Sequence, residues 1–307
     1  MRRVLTVPTT LDDQAFDTLV AEAGEPQTGG ILVDARHVRW ADPYGMIGLL
    51  ALGQRLGGGG VRPLLQPPDA PDVVSYLERM GLFRAAAGIF EMPGAPRQRR
   101  PVAAAGGKSS GAPAAKNVLL EITPIRSHED VHGVIENLQD RAGAILTDQL
   151  GYSLADAGMF SMVLSEVCQN IIEHAEAGGW VGIQTYKWAR RLGRQVVMIA
   201  VMDTGVGFRG SLAKEHAARF GDRWSDYTAL EAAFLQGVTR FRDPGRGQGL
   251  KQIRRRVTGW GGKISIRSGT ARIAQIPEWD DDPPMQKDLG AFPGSQILIV
   301  LPAHAKS

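Results

Sequence analysis

The sequence predicts an α/β protein built as two layered units, each a sheet packed on helices. Three observations carry this. Strand-length apolar runs alternate with helical patterns through the first 94 residues. A stretch rich in Ala, Gly, Pro, Arg and Ser then erases all periodicity. Beyond it come an amphipathic helix, an apolar strand and a glycine-rich turn opening another helix. A chain of 307 residues has room for about two cores. The expected division is a unit over 1–94, a linker over 95–116 and a second unit over 117–307.

In the first unit, 3–7 reads as a strand and 11–23 as a helix capped by Thr10. A second strand is expected at 31–34 and an apolar helix at 45–56, ended by four glycines, which hold a helix poorly. Asp42 stands where a cap belongs, with Pro43 in the first turn. A strand over 61–65 and a helix over 72–80 complete the unit.

Residues 93–116, which include Arg97, Arg99 and Arg100, have the composition of a flexible tether. A strand follows at 118–122. Ser127 caps a helix through about residue 149, with Glu129 and Asp130 placed for its dipole.

The run over 160–176 organises the second unit. Phe160, Val163, Leu164, Val167 and Ile171 form an apolar stripe at helical period, and that stripe must face a core. Glu166 and Asn170 are stacked one turn apart on its flank, and His174 lies one turn further. Such a pattern on a half-buried helix is where a nucleoside triphosphate could meet its metal.

The apolar strand 196–202 leads into Asp203-Thr204-Gly205-Val206-Gly207. The segment 208–244 carries a helical stretch at 226–236, and Gly245-Arg246-Gly247-Gln248-Gly249-Leu250 opens the next helix. A strand at 263–267, a polar loop over 269–291 and a last strand at 296–301 close the chain.

Helix with Glu and Asn, strand into Asp-x-Gly-x-Gly, glycine-rich turn into helix: this order resembles the Bergerat-fold ATP-binding domain of the GHKL superfamily. That superfamily includes gyrase, heat-shock chaperones, histidine kinases and mismatch-repair ATPases. The resemblance implies a C-terminal Bergerat-fold α/β sandwich, an antiparallel-rich sheet covered on one face by helices. It makes 208–245 a lid and ATP with Mg²⁺ the ligands.

Under that resemblance Asp203 accepts a hydrogen bond from the exocyclic amine of adenine, and Gly205 and Gly207 let backbone approach the ring. Asn170 supplies one neutral oxygen to Mg²⁺, which otherwise keeps waters and phosphate oxygens. Gly245, Gly247 and Gly249, with Arg246, Gln248 and Leu250, cradle the phosphates at a helix N-terminus. Arg240 and Arg242 lie within the lid. Ser295 stands where the family often has a threonine near adenine, and His174 joins the nucleotide set. Glu166 orients or deprotonates the attacking oxygen.

The first unit resembles a STAS domain, the fold of anti-anti-sigma factors, through ILVDARHVRWADPYGMIGLLALGQRL and LERMGLF. The implied fold is a mixed sheet with helices. That family usually reads Asp-Ser-Ser-Gly before its middle helix. Here the turn is Asp42-Pro43-Tyr44-Gly45, without either serine, so the unit reads as a docking or regulatory module. Ser127-His128-Glu129 superficially resembles a histidine-kinase phosphoacceptor box. Too little chain separates it from Asn170 for the separate hairpin such an acceptor needs, and His128 and His132 read as solvated.

SEVCQNIIEHA together with the GRGQGL turn looks most like the anti-sigma-factor serine kinases. The resemblance implies a cytoplasmic ATP-binding regulator acting on a protein partner, a STAS-domain or sigma-factor-like protein, with a homodimer as a further implication. A hydrolytic ATPase whose closure drives dimerisation, and an ATP-gated switch without phosphotransfer, share the same pocket. A net charge of +3 and the basic run Lys251, Arg254, Arg255, Arg256 come without an aromatic platform, so nucleic acid is not an expected partner. No run of about eighteen apolar residues exists, so no membrane span is expected. The N-terminus makes a poor signal peptide. The single Cys168 suits a reducing cytoplasm and, amid apolar neighbours, an inert packed thiol.

Overall fold

The computed structural model describes residues 2–24, 30–57, 61–93, 118–175, 177–188, 192–239 and 249–304, the side chains of 139–144 excepted. The expected tether lies outside the described residues.

The first unit runs β1 (Arg3–Thr6), β2 (Thr10–Leu11), α1 (Asp13–Ala23), β3 (Ile31–Asp34), β4 (Trp40–Ala41), α2 (Pro43–Leu56), β5 (Leu64–Gln66), α3 (Pro71–Arg79) and α4 (Leu82–Ala86). Where a mixed sheet was expected, pairing is parallel throughout, in the order β1-β3-β5 with a separate β2-β4 pair. The cap of α1 is Asp12, whose side chain accepts from the Ala15 N–H, and Thr10 is drawn into β2. Asp42 caps α2 as expected, accepting from the Gly45 N–H at 2.7 Å, with Pro43 in the first turn. Tyr44 is buried, its ring edge-on to Phe16 at 5.9 Å, so this turn offers no exposed phosphoacceptor.

The second unit runs β6 (Val118–Ile125), α5 (His128–Ala144), α6 (Leu154–Asn170), β7 (Gly179–Trp188), β8 (Arg194–Asp203), α7 (Gly207–Phe220), α8 (Asp226–Glu231), α9 (Gly249–Gly259), β9 (Lys263–Gly269), β10 (Ala271–Gln275), β11 (Met285–Gln286) and β12 (Phe292–Pro302). Its seven strands, in the order β11-β10-β9-β12-β8-β7-β6, pair antiparallel throughout. Helix α6 begins at Leu154, earlier than the apolar stripe, because Ser153 caps it by accepting from the Asp156 N–H. Phe160, Val163, Leu164, Val167 and Ile171 are all buried, as the stripe requires. His128 and His132 are exposed, as read.

Several elements depart from expectation. β7 was not foreseen. Its glycines and its alternation of Trp180, Gln184 and Tyr186 with Val181 and Ile183 hide a strand buried on both faces. The loop expected over 269–291 contains β10 and β11, because the buried Arg272 finds an ionic partner in a distant helix. Helix α7 occupies the start of the segment after Gly207, where a helical stretch was expected only at 226–236.

The large sheet is covered on both faces, not one. Along β8, Val197, Ile199 and Val201 enter the core beneath α5, α6 and α9. Val196, Met198, Ala200 and Met202 point the other way, into a core shared with Phe16, Ile47 and Leu50 of the first unit. A strand apolar on both sides cannot leave one side in water, and here α2 lies over β7 and β8 to shield it. The Ile122 N–H donates to the Met80 carbonyl at 2.8 Å, and the Tyr76 and Tyr186 hydroxyls meet at 2.6 Å across the same interface.

Cys168 is fully buried on α6, and that burial pushes its thiol up to about 12. Native protein should therefore resist a thiol reagent at neutral pH and react about stoichiometrically once denatured; rapid native labelling would contradict the packing.

Candidate functional site

A cavity of about 460 Å³ opens between α6, the end of β8, α7 and the start of α9, a volume suited to a small ligand. Glu166, Asn170 and His174 line it from one side, and Asp203, Gly207 and Ser295 from the other. Gly249 and Leu250 lie at the mouth of α9. Gly205 belongs to the adjoining turn. Gly245, Arg246, Gly247 and Gln248, together with Arg240 and Arg242, lie outside the described residues.

The helix changes character where the chemistry concentrates. After Asn170 the α-helical ladder widens into a π-helical turn, Ile171–Ala175, which carries His174. Such turns are frequent at functional sites, because they re-aim side chains at the cost of regular hydrogen bonding. Asn170 is half-buried and its amide makes no hydrogen bond among the described residues. A half-buried amide left open toward a cavity fits a hard cation that takes few protein oxygens. His174 Nδ1 lies 3.2 Å from Ser211 Oγ.

Glu166 stands one turn before Asn170. Burial, and secondarily the Glu173 carboxylate, raise its carboxyl above the usual range. Its Oε1 would lie 1.8 Å from a Cβ placed on Gly249, so a side chain there would push the carboxylate out of this position. Proton transfer benefits from a carboxyl tuned upward in this way.

Asp203 is the last residue of β8, only 5 % exposed. Its Oδ1 accepts from the Gly205 N–H at 2.8 Å, and both the N–H and the hydroxyl of Ser295 donate to the carboxylate. Burial nonetheless dominates and pushes it up to about 6. The glycines of this turn answer to protein as well as to any ligand. A Cβ on Gly205 would sit 1.8 Å from the Ala175 carbonyl oxygen, and Gly207 adopts φ +63°, beside Ser268 Oγ and the Gly294 carbonyl.

Two features escaped the sequence. Helix α7 supplies Phe208, Ser211 and Leu212 as a cavity wall, and their i, i+3, i+4 spacing was the available signal. Gln296, fully buried, donates to the Asp203 main-chain carbonyl at 3.4 Å; nothing local announces it.

Residues 155–302 match the family model described as histidine kinase-, DNA gyrase B-, and HSP90-like ATPase. The chain carries a GHKL-type ATPase domain over that span. The search of the curated proteins returned no match. The matched span of the GHKL domain contains every cavity-lining residue named above, and ATP is the ligand expected of such a domain. Among the described residues, no helix is long and apolar enough to cross a membrane.

Proposed function

We propose that this chain is an ATP-binding regulator of the anti-sigma-factor kinase type, transferring the terminal phosphate of ATP to a serine on a protein partner in the cytoplasm. The single observation that carries the reading is that Glu166 and Asn170, one turn apart on α6, line the same cavity as Asp203. Adenine would sit at Asp203 and the phosphates toward Glu166, the orientation the motifs imply.

Mg²⁺, when bound, would neutralise phosphate charge. Asn170 is the residue fitted to hold it, through its amide oxygen. Glu166 would accept the proton of the attacking hydroxyl while hydrogen bonds at Asp203 fix the base. Residues 208–245 would act as the lid, with Gly245, Arg246, Gly247, Gln248, Gly249 and Leu250 meeting the phosphates. The first unit, without acceptor serines at Asp42–Gly45 and with Tyr44 buried, leaves the acceptor in trans, a STAS-domain or sigma-factor-like partner.

Incubation with labelled ATP and STAS-domain partners tests this. Glu166→Gln should slow transfer about a hundredfold or more while ATP affinity stays within about threefold. Steady phosphate release with no labelled acceptor would instead identify a hydrolytic ATPase, the gyrase-like alternative, in which closure and homodimer formation consume the nucleotide. An unchanged biological output in Glu166→Gln, lost only in Asp203→Asn, would identify a switch that senses ATP without cleaving it.

A further inference from the structure

The first unit reaches the purine end of the cavity through a buried polar chain. Asp17 of α1 sits between two buried arginines of the large sheet. Arg267 Nε donates to its Oδ1 at 2.9 Å, and Arg272 Nη2 lies 2.8 Å from its Oδ2. Arg267 is wholly enclosed, its guanidinium 5.5 Å from the Phe16 ring centre and 5.9 Å from that of Phe292. It donates onward to Gln296 Oε1 at 3.3 Å and to the Gly290 carbonyl. Gln296 Nε2 donates in turn to the Asp203 carbonyl at 3.4 Å and to the Pro293 carbonyl at 2.9 Å.

A second arm comes from α2. Thr204, next after Asp203, donates to Gln54 Oε1 at 3.4 Å. Arg55 donates to the Ala291 carbonyl at 2.8 Å and lies over the Phe292 ring. These contacts grip both backbone segments that make the purine end. One is the turn after Asp203. The other is the irregular start of β12, where register shifts between Phe292 and Ser295 and so delivers Ser295 to the Asp203 carboxylate.

We propose that the first unit is a clamp on the base-recognition end of the nucleotide cavity. Asp17, acting through Arg267 and Gln296, positions Asp203, so that seating of the first unit and binding of an adenine nucleotide reinforce each other. The inference rests on reading Asp203 as the acceptor for the adenine amine. Arg267 cannot keep its charge buried without a counter-ion, and Gln296 has its orientation set by Arg267 on one side and backbone carbonyls on the other. Loss of Asp17 therefore loosens the strand end rather than removing any group that touches the ligand. By linkage, whatever tightens Asp203 on adenine tightens α1 on the sheet.

The test compares full-length wild type, Asp17→Asn, Gln296→Leu and a control, Tyr76→Phe. The control breaks an interface contact to Tyr186, which pairs with Val196 at the far end of the ladder from Asp203. Calorimetric affinities are measured for Mg·ATP and for the purine riboside triphosphate that lacks the amine. Asp17→Asn and Gln296→Leu should weaken ATP about tenfold or more and the amine-free analogue less than about twofold, with Tyr76→Phe within about twofold for both. A general structural weakening would lower both affinities alike, and that result, or unchanged ATP affinity in the two variants, overturns the proposal. Should the variants not fold, hydrogen exchange in the wild type decides. Mg·ATP should slow exchange across Asp13–Ala23, and unchanged exchange there overturns the clamp. A wild type that binds no nucleotide overturns the adenine reading and the clamp together, and is recognised before any variant is compared.

Discussion

Asp203→Asn should abolish tight ATP binding and, in the same protein, raise the stability of the nucleotide-free state. The two effects have one cause. Asp203 is nearly enclosed, and burial pushes its carboxyl up to about 6 against hydrogen bonds from Gly205 and Ser295 that favour the charged form. The folded state thus holds this proton more tightly than the unfolded chain, whose reference lies at 3.8. Its contribution to stability is fully present below the unfolded value and is lost as pH rises through the folded one. Above about pH 6 the wild type carries a desolvated charge costing up to about 3 kcal/mol, which a neutral Asn avoids.

Denaturant titrations should therefore show the variant more stable than wild type at about pH 8, the gap closing toward about pH 4. ATP affinity should drop about a hundredfold at about pH 8, because the charged acceptor for the amine is gone. Wild-type affinity should itself decline as pH falls below about 6. A variant that is less stable at every pH, or that binds ATP as tightly as wild type, would contradict this account of the cavity.

Gly205→Ala should be among the most damaging single substitutions in the chain. The added Cβ would meet the Ala175 carbonyl oxygen at 1.8 Å and its carbonyl carbon at 2.5 Å, both main-chain atoms that no rotamer change can move. Ala175 closes the π-helical turn that follows Asn170, and its carbonyl also accepts from the Val206 N–H at 3.1 Å. Relief of the clash must part the helix carrying Glu166 and Asn170 from the strand end carrying Asp203, the two walls of the cavity. We expect a loss of about 3 kcal/mol or more, with nucleotide binding lost alongside. Gly133→Ala on α5, where an added Cβ meets nothing within 4 Å, should be neutral or stabilising by up to about 1 kcal/mol. Chemical denaturation of the pair decides it: equal effects would mean that Gly205 is not held by packing.

The comparison of these glycines shows how much of the site was legible. The stripe from Phe160 to Ile171 announced the helix, and with it the shared flank of Glu166, Asn170 and His174, because helical period places such residues without reference to anything else. The apolar run into Asp203 announced a buried strand with a carboxylate at its end. The role of Gly205 was only half legible. Its absent side chain was visible, but the carbonyl that forbids one comes from a turn thirty residues earlier, where the helix widens in a way no local pattern marked. Ser211 and Leu212 fell in a part of the lid segment to which no helix was assigned, since one apolar residue per turn is a faint signal on a polar helix.

Local periodicity by itself determined the helix that carries Glu166 and Asn170 and the strand that ends at Asp203, because those depend on neighbours within one or two turns. The partnership between the two units was decided only in three dimensions. Asp17 and Arg267 are 250 positions apart. In isolation Arg267 reads as the end of a strand and Arg272 as part of a polar loop. Both are buried where a carboxylate from α1 offsets their charge, and aromatic rings from both units close over Arg267. Desolvation forbids such residues an interior place until that distant partner arrives, and a partner so far along the chain leaves no trace in local spacing.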